Sequence, residues 1–214
     1  MAMTTTSTAT PIRSRLLLAG ALGAPLFTVS VLAQAALRSG YDLTRHPASV
    51  LANGEHGWIQ VGTFLLTGAL TLAGAAGIGH TIGGRQVAAL LAVQGLGLIV
   101  AGIFRLDPVD GFPIGTPPGQ PETFSATATV HNAAGSLSFL ALIVACFVLA
   151  RRVGGGWGRL GVAAGVAFAV CLGWALSGGT AGSLTLFAGV VLAWTWVAAT
   201  EVRMSGHTGQ ARPD

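Results

Sequence analysis

The residues with the most chemistry to offer gather in two polar stretches of the chain. Asp42, Arg45, His46 and His56 follow the first long apolar run, Arg105, Asp107, Asp110 and Glu122 follow the third, and His131 opens the fourth. Histidine and carboxylate together can hold zinc through three protein groups and leave a fourth position for water, whose lowered pKa suits it to attack an ester or amide. His46, His131 and Asp107, with His56 as a further ligand, are the residues for such a site. No HExxH or comparable local motif accompanies them, so only composition and shared position support zinc. The same residues also suit a plainer role. Arginines and aspartates of the two stretches would pair, the histidines would satisfy helix entrances, and a polar cap would close. Arg45 and Arg105 add a possible bidentate bond to a lipid phosphate. Asp42 and His46 are four residues apart, but Pro47 biases His46 away from helical backbone, so they are expected to meet in a folded loop.

The elements that must position these residues are membrane spans. Over half of the 214 residues are hydrophobic and only 8% are charged, against roughly a quarter in a soluble domain. So few charges cannot cover a water-soluble core, so the bilayer must supply the shell. Six runs reach the roughly 20 apolar residues that a helix needs to cross hydrocarbon. They are residues 16–37, 57–78, 87–104, 130–150, 160–176 and 181–200. The expected fold class is therefore all-α, a polytopic transmembrane bundle of about six helices. The domain reading is a disordered cytoplasmic tail over 1–15, a membrane domain over 16–200 with outer loops 38–56 and 105–129, and a second cytoplasmic tail over 201–214.

All eleven basic residues are arginine, and short arginine-bearing loops stay in the cytoplasm. Arg13 and Arg15, then Arg85, then Arg151, Arg152 and Arg159, then Arg203 and Arg212 alternate with stretches holding only Arg38, Arg45 and Arg105. This alternation places both termini in the cytoplasm of a cell membrane and the two His/Asp stretches together on the outer face. Ala33-Gln34-Ala35 resembles a signal-peptide cleavage site, but the preceding apolar run is longer than a normal h-region, which favours a retained helix. High Ala, Gly and Arg content without lysine points to a GC-rich bacterial genome.

Lipid tails are as apolar as leucine, so helices associate where small residues let backbones approach. Gly161, Gly165, Ala169 and Gly173 recur every four residues and are expected to face Thr185, Gly189 and Ala193, with homo-oligomer formation as the rival use. Gly95 and Gly97 lie inside a span and suit packing rather than phosphate binding. Trp58, Trp157, Trp174, Trp194 and Trp196 lie near predicted helix ends, where indole favours the headgroup region. Cys146 and Cys171 sit in apolar runs as small hydrophobes. No segment pairs basic with base-reading residues, which speaks against nucleic acid. The spans hold neutral polar residues such as Gln34, Gln60, Thr63, Thr67 and Gln94 but no ionisable group well inside, which disfavours proton-coupled pumping and a haem held between helices.

Asp42-Leu-Thr-Arg45-His46-Pro47, Gly57-Trp58-Ile-Gln60, Asp107-Pro108 with Gly111-Phe112-Pro113, and His131, taken in this order relative to the spans, resemble a prokaryotic membrane family known as domain of unknown function 998. The resemblance runs from the first span to the sixth. It implies a multipass membrane protein, and it assigns neither an activity nor catalytic residues. The expected function is binding or sensing of a lipid or small amphiphile at the outer face, without catalysis. A metal-assisted membrane hydrolase using the outer His/Asp cluster and a small-molecule carrier are the alternatives. Zinc is the one cofactor the residue types suggest, and the bilayer is the expected partner.

Overall fold

Hydrocarbon offers no partner to a bare peptide group, and the chain answers with helices. The structure, a computed structural model, describes residues 9–80 and 84–206; residues 1–8, 81–83 and 207–214, which include parts of both expected tails, lie outside the described residues. The helices are α1 (Ala9–Ala21), α2 (Gly23–Leu37), α3 (Gly57–Gly79), α4 (Arg85–Ile103), α5 (Ala126–Val153), α6 (Gly155–Leu176) and α7 (Gly182–Gly206). No β-strand occurs among the described residues. Among the described residues, six spans are long and apolar enough to cross a membrane, the first running from Ile12 to Leu37 through α1 and α2. Pro25 accounts for the break in it at Leu22. It has no N–H to offer the Ala21 carbonyl four residues back, and its ring crowds that carbonyl. The Leu22 N–H reaches Ala19 instead, at 3.2 Å.

Consecutive spans pack side by side, and α1 also lies against α7, so the six close into a ring. Ser14 and Ser205 meet across that closure, which puts the first and last spans' terminal ends at one end of the bundle. The two long loops lie at the other, the cap end. Glycine sets the closest helix approaches. A Cβ on Gly68 of α3 would lie 2.7 Å from the Gly95 carbonyl of α4, and one on Gly97 would lie 2.9 Å from the Ala134 carbonyl of α5. Thr63, Thr67 and Thr71, one turn apart on α3, each return their hydroxyl to a carbonyl four residues earlier, which satisfies them inside the bundle. Phe27 fills the centre of the ring against Phe64, Phe187 and Trp194.

Three expectations need correction. The small-residue row of α6 does not face α7 along its length. Gly161 meets the Trp196 ring of α7, Gly165 meets Cys146 and Phe147 of α5, Gly173 meets nothing within 4 Å, and Ala169 is exposed. Residues four apart drift about 40° per step around a helix, so a row of four turns about 120° and leaves the buried face. The stripe that stays buried is Gly158, Gly161, Ala164, Gly165 and Phe168. Trp194 and Trp196 are core residues rather than interfacial anchors, at 3% and 6% exposure. Helix also continues beyond the expected span ends, into residues 9–15 and 201–206. There the Ser14 hydroxyl meets the Ser205 carbonyl.

Candidate functional site

The cap is built on His46. Its Nδ1 accepts the Asp42 N–H at 2.9 Å and must therefore be unprotonated, which leaves Nε2–H to donate to the Asp110 carbonyl at 3.0 Å. Both ring nitrogens are thus used within the protein. Pro47 turns the chain into a 3₁₀ turn, Ala48–Ala52, and the His46 ring is buried between Tyr41 and Phe112. Tyr41 donates its hydroxyl to the His46 carbonyl at 3.0 Å. Burial, with Asp42 nearby, pushes the Tyr41 phenol well above its ordinary pKa.

The two loops are fastened to each other at several points. Arg45 reaches the Asp110 carboxylate through Nε at 3.0 Å and Nη2 at 2.9 Å. The Gly119 N–H donates to the same carboxylate, and this bond, followed by Arg45, holds Asp110 below the usual carboxylate range. Asp42 is lowered likewise by the hydroxyl and N–H of Thr44. Asn53 donates to the Leu106 carbonyl. Arg38 donates to the Leu51 and Asn53 carbonyls and lies over the Phe112 ring. Ser183 of α7 donates to the Arg45 carbonyl, tying the cap to the bundle. Asp107 accepts two bonds from Ser125, the N-cap of α5.

Of the polar residues singled out in the two stretches, Asp42, Arg45, His46 and Asp110 come together. Asp107 instead belongs to the α5 cap. His56 and Arg105 are exposed and join no cluster. His131 sits in the second turn of α5 rather than at its start. His46, His131 and Asp107 are therefore not a zinc triad, and no three His, Cys, Asp or Glu among the described residues form a metal-binding group.

His131 has a different position and role. Its Nδ1 lies 3.0 Å from the Ala101 carbonyl and 2.8 Å from the Phe104 carbonyl, so it carries the proton and caps the end of α4. Nε2 is left as an acceptor with no hydrogen bond among the described residues. His131 lines a cavity of about 340 Å³ beneath the cap. The turn around Ala48 roofs it, and Leu98, Leu142, Phe187 and Val190 give it apolar walls. Leu140 and Leu176, both strongly exposed, also line it, so its margin reaches the lipid-facing surface between α5 and α6. Deeper in the cavity is Gln94, only 2% exposed, whose Oε1 has no partner among the described residues. The Ser138 hydroxyl is bonded to the Gln94 backbone carbonyl, two turns from His131 along α5, which sets the two polar groups about 10 Å apart along the helix axis.

Reading the sequence alone missed two features. Gln94 appeared as one neutral polar residue among several in the spans, and nothing local marked it as lining a cavity. Glu201 appeared as the first residue of a tail. It is 3% exposed, and its Oε1 lies where a Cβ on Gly74 would come within 2.2 Å and one on Gly20 within 2.7 Å. Two glycines on α1 and α3 thus make the room for this carboxyl. No curated protein and no solved structure matches the chain. A family profile does match residues 21–203, from the first span into the last helix, and the chain accordingly belongs to the family described as protein of unknown function DUF998.

Proposed function

We propose that this integral membrane protein binds an uncharged, hydroxyl-bearing amphiphile in the cavity beneath the cap, on the outer face that the arginine distribution indicates. The observation that carries this reading is Gln94, whose Oε1 is buried with no partner among the described residues and whose side chain borders a largely apolar chamber. A buried acceptor without a donor is destabilising by about 1–3 kcal/mol, and a ligand hydroxyl would offset it. His131 Nε2 offers a second acceptor. Two acceptors favour a ligand that donates, such as an alcohol or a monoacylglycerol, over an ionised phosphate. At about 340 Å³ the cavity is at the small end of ligand pockets, which fits one chain rather than a whole phospholipid. Its exposed margin of Leu140 and Leu176 provides entry from the bilayer. Arg45, the earlier candidate for a lipid phosphate, is engaged with Asp110.

Gly135 gives the test, because it lines the cavity and a Cβ there would meet nothing within 4 Å. Gly135→Leu fills the chamber without disturbing a helix contact. Native mass spectrometry of detergent-solubilised protein with monolauroylglycerol should give one adduct per chain. Gly135→Leu should weaken it by about tenfold or more, and Gln94→Leu by a similar factor. Equal binding to wild type and Gly135→Leu would remove the cavity from consideration.

A further inference from the structure

We propose that Glu201 is a proton-binding site of the membrane domain, exchanging its proton with water at the end of the bundle that carries both termini. By sequence this residue falls just past the sixth apolar run, but α7 carries it inside the last span, Gly182–Gly206, at 3% exposure. The five other acids among the described residues, Asp42, Glu55, Asp107, Asp110 and Glu122, all lie in the cap loops. Glu201 is thus the one described carboxyl that the bundle itself encloses. An ionisable side chain so placed is costly to bury and is ordinarily tied to function. Spans free of ionisable groups were the ground for disfavouring proton-coupled chemistry, and Glu201 removes it.

The surroundings of the carboxyl select a proton over other ligands. Its Oε1 lies against two glycines, since a Cβ on Gly74 would come within 2.2 Å of it and one on Gly20 within 2.7 Å. No hydrogen bond or ion pair joins Glu201 to a described residue. The charged and titratable groups nearest along the three helices point elsewhere or lie at their ends. Arg13 precedes Gly20 on α1 by seven residues, about 10 Å along the axis, and His80 follows Gly74 by six, about 9 Å. Arg15 and His80 are exposed. Arg203 is about 200° around α7 from Glu201, over the Trp157 ring. A bare carboxylate in this position would meet glycine carbon in place of water, a large penalty with nothing to offset it. A hard metal cation takes about six oxygen ligands, which glycine Cα atoms cannot supply. A proton needs only the carboxyl, and it makes a neutral acid that two glycines can enclose.

The route to water is short on one side. Gly206 ends α7 five residues on, about 7.5 Å along the axis, and one turn beyond Glu201 the Ser14 hydroxyl meets the Ser205 carbonyl. Toward the cap, Thr71 returns its hydroxyl to Thr67, and Phe27 against Trp194 closes the way. Release of the proton leaves a charge that must draw in water. The contact it would open is the tightest at the junction, where a Cβ on Gly20 would lie 2.4 Å from the Gly74 Cα. Proton binding and closure of α1, α3 and α7 are therefore linked, and the cavity beneath the cap takes no part.

The test labels the full chain in a non-ionic detergent with dicyclohexylcarbodiimide, an apolar reagent for protonated carboxyls. The proton of the acid moves to a carbodiimide nitrogen, the carboxyl oxygen adds to the central carbon, and an acyl shift to nitrogen leaves a stable N-acylurea with nothing released. One adduct per chain is expected at neutral pH, mapped to Glu201 by tandem mass spectrometry. Its rate should fall about tenfold per pH unit once the acid ionises, and Glu201→Gln should lose it. A cationic, water-soluble carbodiimide should modify the exposed Glu55 and Glu122 instead. Infrared difference spectra of wild type against Glu201→Gln should show the carbonyl stretch of a protonated carboxyl at neutral pH, giving way to carboxylate bands as pH rises. If the variant does not fold, the mapped adduct and its pH profile in the wild type decide. Labelling confined to the cap acids, a rate indifferent to pH, or carboxylate bands alone at neutral pH would overturn the proposal. So would protection of Glu201 by sodium chloride but not by choline chloride at constant pH, which would assign the carboxyl to a metal cation.

Discussion

The two ends of the bundle treat charge in opposite ways. At the cap end Arg45 and Asp110 neutralise each other in direct contact, and every bond of His46 and Asp107 is made to the protein's own loops. At the opposite end a carboxyl, Glu201, is buried against glycine backbone with no hydrogen bond among the described residues, while the Arg203 guanidinium lies over the Trp157 ring. The contrast teaches where to look for ligands. A cluster of polar residues that satisfies itself is architecture, however much chemistry its side chains suggest. Buried polar atoms with no partner among the described residues, Gln94 Oε1 beneath the cap and Arg13 Nε at the other end, are better indicators of binding.

The sharpest way to break this contrast is at Gly74. A side chain there would drive Cβ to 2.2 Å from Glu201 Oε1 and 2.8 Å from the Gly20 Cα. Neither helix backbone can yield far without opening the α1, α3 and α7 junction. Gly74→Val is expected to lower stability by about 3 kcal/mol or more, read as a large fall in Tm in detergent or as loss of folded monomer on size exclusion. Glu201→Ala in the same background should restore part of the loss. If Gly74→Val is as stable as the wild type, the carboxyl is not packed in a glycine cradle.

At the cap end the expected effects are smaller, because the pairing groups lie near water. Asp110 and Asp42 both have carboxyl pKa values lowered in the folded protein. Their contribution is therefore fully present above the ordinary carboxylate pKa of about 3.9 and is lost as pH falls through the lowered values. Hydrogen exchange of residues 105–120 should thus be slow at neutral pH and accelerate below about pH 4, after correction for intrinsic exchange. Asp110→Asn keeps the shape but loses the charge. It should loosen the cap already at neutral pH, cost about 1 kcal/mol, and flatten most of the acid dependence. An unchanged pH profile in Asp110→Asn would mean that the loops are fastened by Asn53, Arg38 and the aromatic stack alone.

The helices were legible because each obeys a local rule. A span needs its own run of apolar residues, whereas the break near Pro25 and the α5 start at Ser125 were not read from the sequence, although each follows from that residue's own chemistry. The cap was legible only as a neighbourhood. Arg45 could have paired with Asp107 or Asp110 on sequence grounds, and the choice is made by the turn at Asp110, whose φ of +48° presents its carboxylate to both Arg45 and Gly119. His131 and Gln94 were not legible as a pair, since their relation depends on how α4 and α5 align. Glu201 was placed outside the membrane domain because charge ordinarily ends a span, whereas two distant glycines make room for it.

The smallest predicted effect separates the ends of a single helix. Gly161 lies on α6 toward the terminal end, and a Cβ there would come within 2.3 Å of the Trp196 ring, which is fixed by its own bond to the Trp157 carbonyl. Gly173 lies on the same helix toward the cap, where a Cβ meets nothing within 4 Å. Alanine at Gly173 therefore adds no clash and removes backbone freedom from the unfolded chain, for an expected gain of about 0.5–1 kcal/mol. At Gly161 the same substitution should reverse the sign. Thermal unfolding of the two single variants reads the difference directly. If Gly173→Ala destabilises by as much as Gly161→Ala, then Gly173 is covered by a second copy of the chain, and the four-residue row is an oligomer contact after all.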